Sequence, residues 1–443
     1  MRSTIREQPD LLPGWSSTEG SARELQKISE ILDEHREIEG LVYFDLTTGV
    51  DPTTGGDGLT SRQVLRIGLL KRLRKLSYRD LAFALSDSRS ARRFCEIGLG
   101  TPSPKKSALR DNVAKIRAET WERINGVVVR HAKQAGVETG ERVRGDCTVV
   151  ESNIHAPSDS SLLWDVARVL TRTMEQASKS FGIGFAVKLA KKAKRLHTRI
   201  FYARKKEERA PAYRKLVAKT EEVMEEATRV AEQIKGRRGS KKIRDTIAHF
   251  LVLGGRVIAQ TTRRVLLGQK VPAREKIVSV FETHTDVIVK SWRETLFGHK
   301  VSLTAGKSGL VLDCVIEDGN PADVTLPVRM IERVARVLGH VPRQAAFDGA
   351  FASRANLTEL NAQGVEDVCF SKHAGISVED MARSRRTFRR LKKFRAGVEG
   401  VISRLKRSFE LSRCNWQGEA GFKSYVWSAV VAANLQTLAR ALL

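Results

Sequence analysis

A β-strand cannot bury itself alone, and this chain places one between two long helical stretches. Glu141 to Val150 alternates and is rich in Val and Thr, the period-two pattern of a strand. Before it, from Leu59 to about Gly136, apolar residues recur at helical spacing: Val64, Leu65, Leu69 and Leu73, then Tyr78, Leu81, Ala82 and Leu85. After it, from about Ser161 to Val271, the pattern is helical again. Strands return only near Asp286 to Lys290 and in a hairpin, Gly298 to Thr304 and Leu310 to Ile316, around a turn at Ala305 to Gly309. The intervening run therefore reads as an all-helical insertion behind the first strand.

Further on, the spacing predicts a helix over Thr325 to Leu338 and a short strand from Arg343 to Phe347 that ends at Asp348. Another strand follows over Val365 to Ser371, then a long helix from Arg385 to Glu410 and a last one from Gly418 to Leu443. Ser103-Pro104 reads as an N-cap with proline at the first helical position. Asp51 to Gly56 reads as a boundary loop. Gly306-Lys307-Ser308 is not a phosphate-binding loop, because Val301 stands where that motif needs glycine and the tripeptide lies in a hairpin. The order of elements resembles the ribonuclease H-like fold, an α/β class with a mixed sheet flanked by helices. The expected organisation is an N-terminal segment over 1–58, a helical DNA-binding domain over 59–137, a catalytic core over 138–160 and 276–443, and a basic helical insertion over 161–275.

Charge narrows the partners. Lys and Arg number 78 against 51 Asp and Glu, a formal net charge of +27 with a pI near 10.2. A chain this basic calls for a polyanion, and nucleic acid is the leading candidate. Lys71, Arg72, Arg74, Lys75, Arg89, Arg92 and Arg93 lie on short helices that could form a helix-turn-helix-like module. In the insertion, Lys191, Lys192, Lys194 and Arg195 suit phosphate contact, although a solvated basic face has the same composition. Five scattered cysteines without a CxxC pair argue against a zinc ribbon or a disulfide framework. The N-terminus lacks an apolar signal core, and the stretch around Tyr425 to Leu435 is too short to span a bilayer. Together these point to a soluble, cytoplasmic protein.

Phosphodiester chemistry needs charge stabilisation at both the attacking and the leaving oxygen, and paired hard cations held by carboxylates supply it. Three acids fit that need. Asp146 interrupts the first apolar strand, where a carboxylate is costly to bury without a cation or partner. Asp348 ends a strand just before a glycine, the position where open α/β sheets bind ligands. Glu399 lies on a polar stripe with Lys392, Arg395, Ser403 and Lys406, beside the apolar stripe of Leu391, Phe394, Val398, Ile402, Leu405 and Phe409. Taken singly, each has an ordinary alternative: an Asp–Arg pair, a turn cap, and an exposed Arg395–Glu399 pair.

The helix from Arg385 to Glu410 is similar to the Tyr-x2-Arg-x3-Glu-x6-Lys signature of insertion-sequence transposases, with Arg395, Glu399 and Lys406 matching and Lys392 in place of the tyrosine. Leu76 to Leu81 and Ala91 to Phe94 resemble the N-terminal domain of these enzymes. Asp146 to Ser160, Phe281 to Asn320 and Ala346 to Leu357 resemble the core of the group labelled ISNCY. The resemblance implies a DDE transposase with Asp146, Asp348 and Glu399 as catalytic and metal-binding residues, two Mg2+ ions (or Mn2+), and Arg395, Lys392 and Lys406 on DNA. It further implies double-stranded DNA, both transposon ends and target, as partner, and a homodimer or higher oligomer acting near the nucleoid. A nuclease or resolvase of the same fold, or a catalytically silent DNA-binding relative, are the competing readings.

Overall fold

The computed structural model describes residues 1–6, 20–54, 57–186, 188–291, 294–372 and 374–443. Gly55 and Gly56 of the expected boundary loop lie outside these. The chain divides into two compact units, one of Met1–Glu151 with His299–Leu443 and one of Ser152–Gly298.

In the first unit, helices α1 (Gly20–Glu34), α2 (Glu37–Thr47), α3 (Ser61–Leu73), α4 (Tyr78–Asp87), α5 (Arg89–Phe94), α6 (Lys106–Val113) and α7 (Ala118–Gln134) precede strand β1 (Arg142–Glu151). The first two helices were not legible as such in the sequence, yet Leu25, Ile28, Ile31, Val42 and Leu46 join the same apolar cluster as α3 and α7. Thr60 closes α3 with a reciprocal capping box to Gln63. Expectation and structure part at α6. It starts at Lys106 without a side-chain cap, and Ser103 instead bonds the Leu85 carbonyl and accepts from Arg92.

The second unit is built on α8 (Asp159–Phe181), α9 (Lys188–Tyr202), α10 (Lys206–Gln233) and α11 (Lys241–Thr261), which share an apolar core of Leu163, Val166, Leu170, Leu216, Val223, Val230 and Val257. Strand β2 (Asp286–Ser291) pairs antiparallel with residues 294–298 at the start of β3 (Glu294–Ala305).

The rest of β3 belongs to the first unit, followed by β4 (Val311–Ile316), α12 (Pro327–Leu338), β5 (Gln344–Phe347), α13 (Arg354–Ala362), β6 (Asp367–Phe370), α14 (Val378–Met381), α15 (Arg385–Ser408) and α16 (Gly418–Leu442). Strand order there is β4-β3-β1-β5-β6, with β1, β5 and β6 parallel and β3 and β4 antiparallel, so the sheet is mixed. The lone strand of the sequence thus lies at the centre of its sheet. Helix α15 packs along β1, β5 and β6. Strand alternation turns Arg144 towards α15 and the Gly145 α-carbon towards Met330 of α12, so helices cover both faces. The outer strand β4 is sealed by buried Asn434 and Asn125, whose amides bond each other and the Val311 backbone. The Gly306-Lys307-Ser308 tripeptide turns between β3 and β4, its Ser308 N–H and hydroxyl bonded to Glu138.

Three of the basic residues expected to face DNA are internal. Arg72 is buried, donating to Ser428 and the Tyr425 carbonyl with its guanidinium over the Tyr425 ring. Arg92 is buried on the carbonyls of Leu85, Gly98 and Thr101, and Lys71 is buried against the Tyr78 ring. Long cationic side chains reach inward where carbonyl groups and aromatic faces need a partner, and helical spacing alone does not reveal that. Arg74, Lys75 and Arg89 are exposed.

Candidate active site

The parallel ladder between β1 and β5 pairs Arg142 with Gln344 and Arg144 with Ala346. The same offset carried two residues on brings Asp146 level with Asp348, at the place where β5 ends. Two glycines make this possible. A β-carbon on Gly145 would lie 2.4 Å from the Phe347 ring, and one on Gly349 would lie 2.6 Å from the Lys372 side chain. Each carboxylate therefore has a glycine beside it that allows the neighbouring element to close in.

Helix α15 supplies the third acid. Its apolar stripe (Leu391, Val398, Val401 and Leu405) is buried, and Phe394 is half-buried under the guanidinium groups of Arg142 and Arg144. Arg144 donates to the Phe394 carbonyl at 3.1 Å, and Gly397 leaves room for that guanidinium, to which a β-carbon there would approach within 2.0 Å. This packing turns Arg395 towards Asp146 in β1 and Asp348 at the end of β5, with Glu399 beside it. The helix stops at Ser408, so Glu410 lies beyond it in left-handed backbone and is not a further helix carboxylate.

One guanidinium joins the three acids. Arg395 Nη2 lies 3.0 Å from Asp146 Oδ2 and 3.5 Å from Asp348 Oδ1, while Nη1 lies 3.1 Å from Glu399 Oε1. The Asp146 and Arg395 side chains are largely buried, at 18% and 15% exposure, whereas Glu399 is 68% exposed. Asp146 also accepts the Cys147 N–H at 2.7 Å, and Asp348 accepts the Ser371 hydroxyl at 2.6 Å, which in turn receives the Gly349 N–H.

The two aspartates differ electrostatically. Burial pushes Asp146 above the usual carboxylate range, helped by Asp348 and Asp323 and opposed by the Cys147 N–H and Arg395. Burial acts the same way on Asp348, but the Ser371 hydroxyl and the Gly349 N–H, with Arg395 and Lys372, outweigh it and hold Asp348 low. The three acids meet on Arg395 rather than on one another, and each offers hard carboxylate oxygens. That set fits divalent cations such as Mg2+. Ser371, Lys372 and Arg144 were not singled out in the sequence. The first two directly follow the strand over Asp367–Phe370, and no motif marks them.

Of the other expected contacts, Lys392 is exposed and Lys406 half-buried on α15. Lys191, Lys192, Lys194 and Arg195 are all exposed on α9 in the second unit. Asp159, at the start of α8, is buried in that unit in a pair with Arg264 at 2.9 Å.

Family comparison identifies the class of protein that carries these carboxylates. Residues 284–435 match the family described as Transposase DDE domain, and residues 16–115 match Transposase domain (DUF772), so the chain is a transposase. It belongs to the DDE transposases of insertion sequences. No curated protein and no solved structure matches it. Among the described residues, no helix is long and apolar enough to cross a membrane.

Proposed function

We propose that the protein binds the terminal inverted repeats of an insertion sequence, cleaves DNA there, and joins the freed 3′-hydroxyl to target DNA. Asp146, Asp348 and Glu399 are the catalytic carboxylates, on a core of ribonuclease H-like fold. The observation that carries this reading is the meeting of acids from β1, the end of β5 and α15 on the single guanidinium of Arg395. The same three residues would hold two Mg2+ ions, which activate the attacking oxygen and stabilise the leaving one when bound.

The chain's own residues do the rest. Ser371 and the Gly349 N–H fix the rotamer of Asp348, and the Cys147 N–H fixes that of Asp146. Arg395 offers a planar fork for a phosphate once its carboxylates are otherwise neutralised. Lys392 and Lys406 extend the cationic track along α15, and the exposed α9 cluster provides sequence-independent phosphate contacts. Cleavage by attack of water leaves a 3′-hydroxyl, and attack of that hydroxyl on a target phosphodiester needs no covalent protein–DNA intermediate. The test is incubation of the protein with Mg2+ and DNA carrying the element's own termini. Nicking at the termini followed by joined products is expected for wild type and neither for Asp348→Ala. Nicking without any joining would favour a nuclease or resolvase.

A further inference from the structure

Apart from the catalytic carboxylates, the corner between α1 and α2 meets α7 through a pair of imidazoles. His35 Nε2 lies 2.9 Å from His131 Nδ1, with the rings edge to face at 84°. Glu34 Oε2 lies 3.6 Å from the same His131 Nδ1. The three atoms all fall within 4.8 Å of one another, the one such convergence of His, Cys, Asp or Glu among the described residues. A tetrahedral ion with ligand bonds of about 2.0–2.2 Å holds its ligand atoms roughly 3.4 Å apart, so very little movement is required.

Two further features favour an ion over a simple hydrogen-bonded pair. Glu37 Oε1 stands 3.4 Å from His35 Nδ1, so the carboxylate orients the ring from behind and leaves Nε2 facing inward, the arrangement that metal-bound histidines have. Both imidazoles are mostly shielded, at 19% and 12% exposure, while Glu34 is 63% exposed and leaves a side open to solvent.

We propose that Glu34, His35 and His131 form a site for a divalent transition metal, Zn2+ foremost, with water completing the tetrahedron. Two nitrogen donors and one oxygen suit Zn2+ and disfavour Mg2+, which demands hard oxygens in octahedral array. The ion would tie residues 96 positions apart, fastening the α1–α2 corner to α7. It would thereby stabilise the helical region, without taking part in phosphoryl transfer.

The experiment titrates the full-length, chelator-stripped protein with Zn2+ by calorimetry in excess Mg2+, and with Co2+ by visible absorption. Wild type and Asp146→Ala should each bind one Zn2+ in micromolar range or tighter, show the strong Co2+ band of a four-coordinate site, and melt several degrees higher with Zn2+. His35→Gln and His131→Gln should lose all three signals. Glu34→Gln, at an exposed position that the fold does not need, should weaken binding at least tenfold. Zn2+ binding that survives in Glu34→Gln and His35→Gln, or that disappears in Asp146→Ala, would overturn the proposal, as would wild-type protein that binds no Zn2+.

Discussion

Replacing Arg395 by Gln removes the one cation that all three site carboxylates share, and the cost should depend on whether metal is present. In the metal-free protein, the contact with largely buried Asp146 at 3.0 Å dominates, because hydrogen bonds to charged groups there contribute about 1.5–3 kcal/mol. The Asp348 contact is longer, at 3.5 Å. The Glu399 contact is an exposed i,i+4 pair of about 0.3–0.5 kcal/mol. We therefore expect Arg395→Gln to destabilise the metal-free protein by roughly 2–3 kcal/mol. Saturating Mg2+ supplies the missing positive charge, so most of that loss should vanish. Linkage then requires tighter metal binding: a differential of about 2 kcal/mol corresponds to a roughly thirtyfold lower dissociation constant. Urea unfolding with and without Mg2+, paired with Mg2+ calorimetry in the absence of DNA, reads both quantities. Equal destabilisation in the two conditions, with unchanged Mg2+ affinity, would show that the guanidinium is not the internal counter-ion of the site. Cleavage should fall even in saturating Mg2+, and Arg395→Lys, which keeps charge but loses the fork, should lower it by one to two orders of magnitude.

Three further expectations follow from the structure. Gly145→Ala forces a methyl group against the Phe347 ring and should lower stability by about 1–3 kcal/mol in denaturant titrations, with loss of cleavage because Asp146 moves with its strand. Asp367 is buried, and burial alone would raise it. Bonds from the Arg383 side chain and N–H and from Gln344 outweigh that and hold it low, so its contribution is present above the unfolded value near 3.9 and is lost as pH falls through the folded one. Asp367→Asn should thus be less stable than wild type at pH 7, and the difference should shrink progressively as pH falls below about 4; a difference that stays constant or widens on acidification would contradict this. Replacing Lys191, Lys192, Lys194 and Arg195 together by Ala should flatten the slope of log affinity against log salt by roughly three to four, and an unchanged slope would make that cluster a solvated face.

What the sequence revealed, and what it hid, has a physical pattern. Strands β1, β3, β4 and β5 and helices α12, α15 and α16 are legible to within a few residues because period and turn residues agree there. The three acids proposed as catalytic stand out in the sequence because each interrupts its surroundings: Asp146 an apolar strand, Asp348 a strand end, Glu399 a basic helix. Helices α1 and α2 were missed although Leu25, Ile28, Ile31 and Leu32 recur at helical spacing, because the segment opens on Pro- and Ser-containing sequence and was read as one mixed stretch. The inward path of Arg72 was hidden because its partners, Tyr425 and Ser428, lie hundreds of residues away, whereas Lys71 and Arg92 turn onto near neighbours that helical spacing does not mark. The same distance hid the turning of Arg395 onto Asp146, since helical spacing revealed only its pair with Glu399.

The most direct test of the three-carboxylate centre is metal rescue of cleavage. Asp146→Cys, Asp348→Cys and Glu399→Cys each replace a hard oxygen by a softer sulfur, which Mg2+ avoids and Mn2+ accepts more readily. Single-turnover cleavage of prebound end DNA is measured for each variant in Mg2+ and in Mn2+. We expect each variant to be inactive in Mg2+, with cleavage partly restored by Mn2+ and end binding retained. A variant that cleaves at the wild-type rate in Mg2+ would remove its residue from the centre.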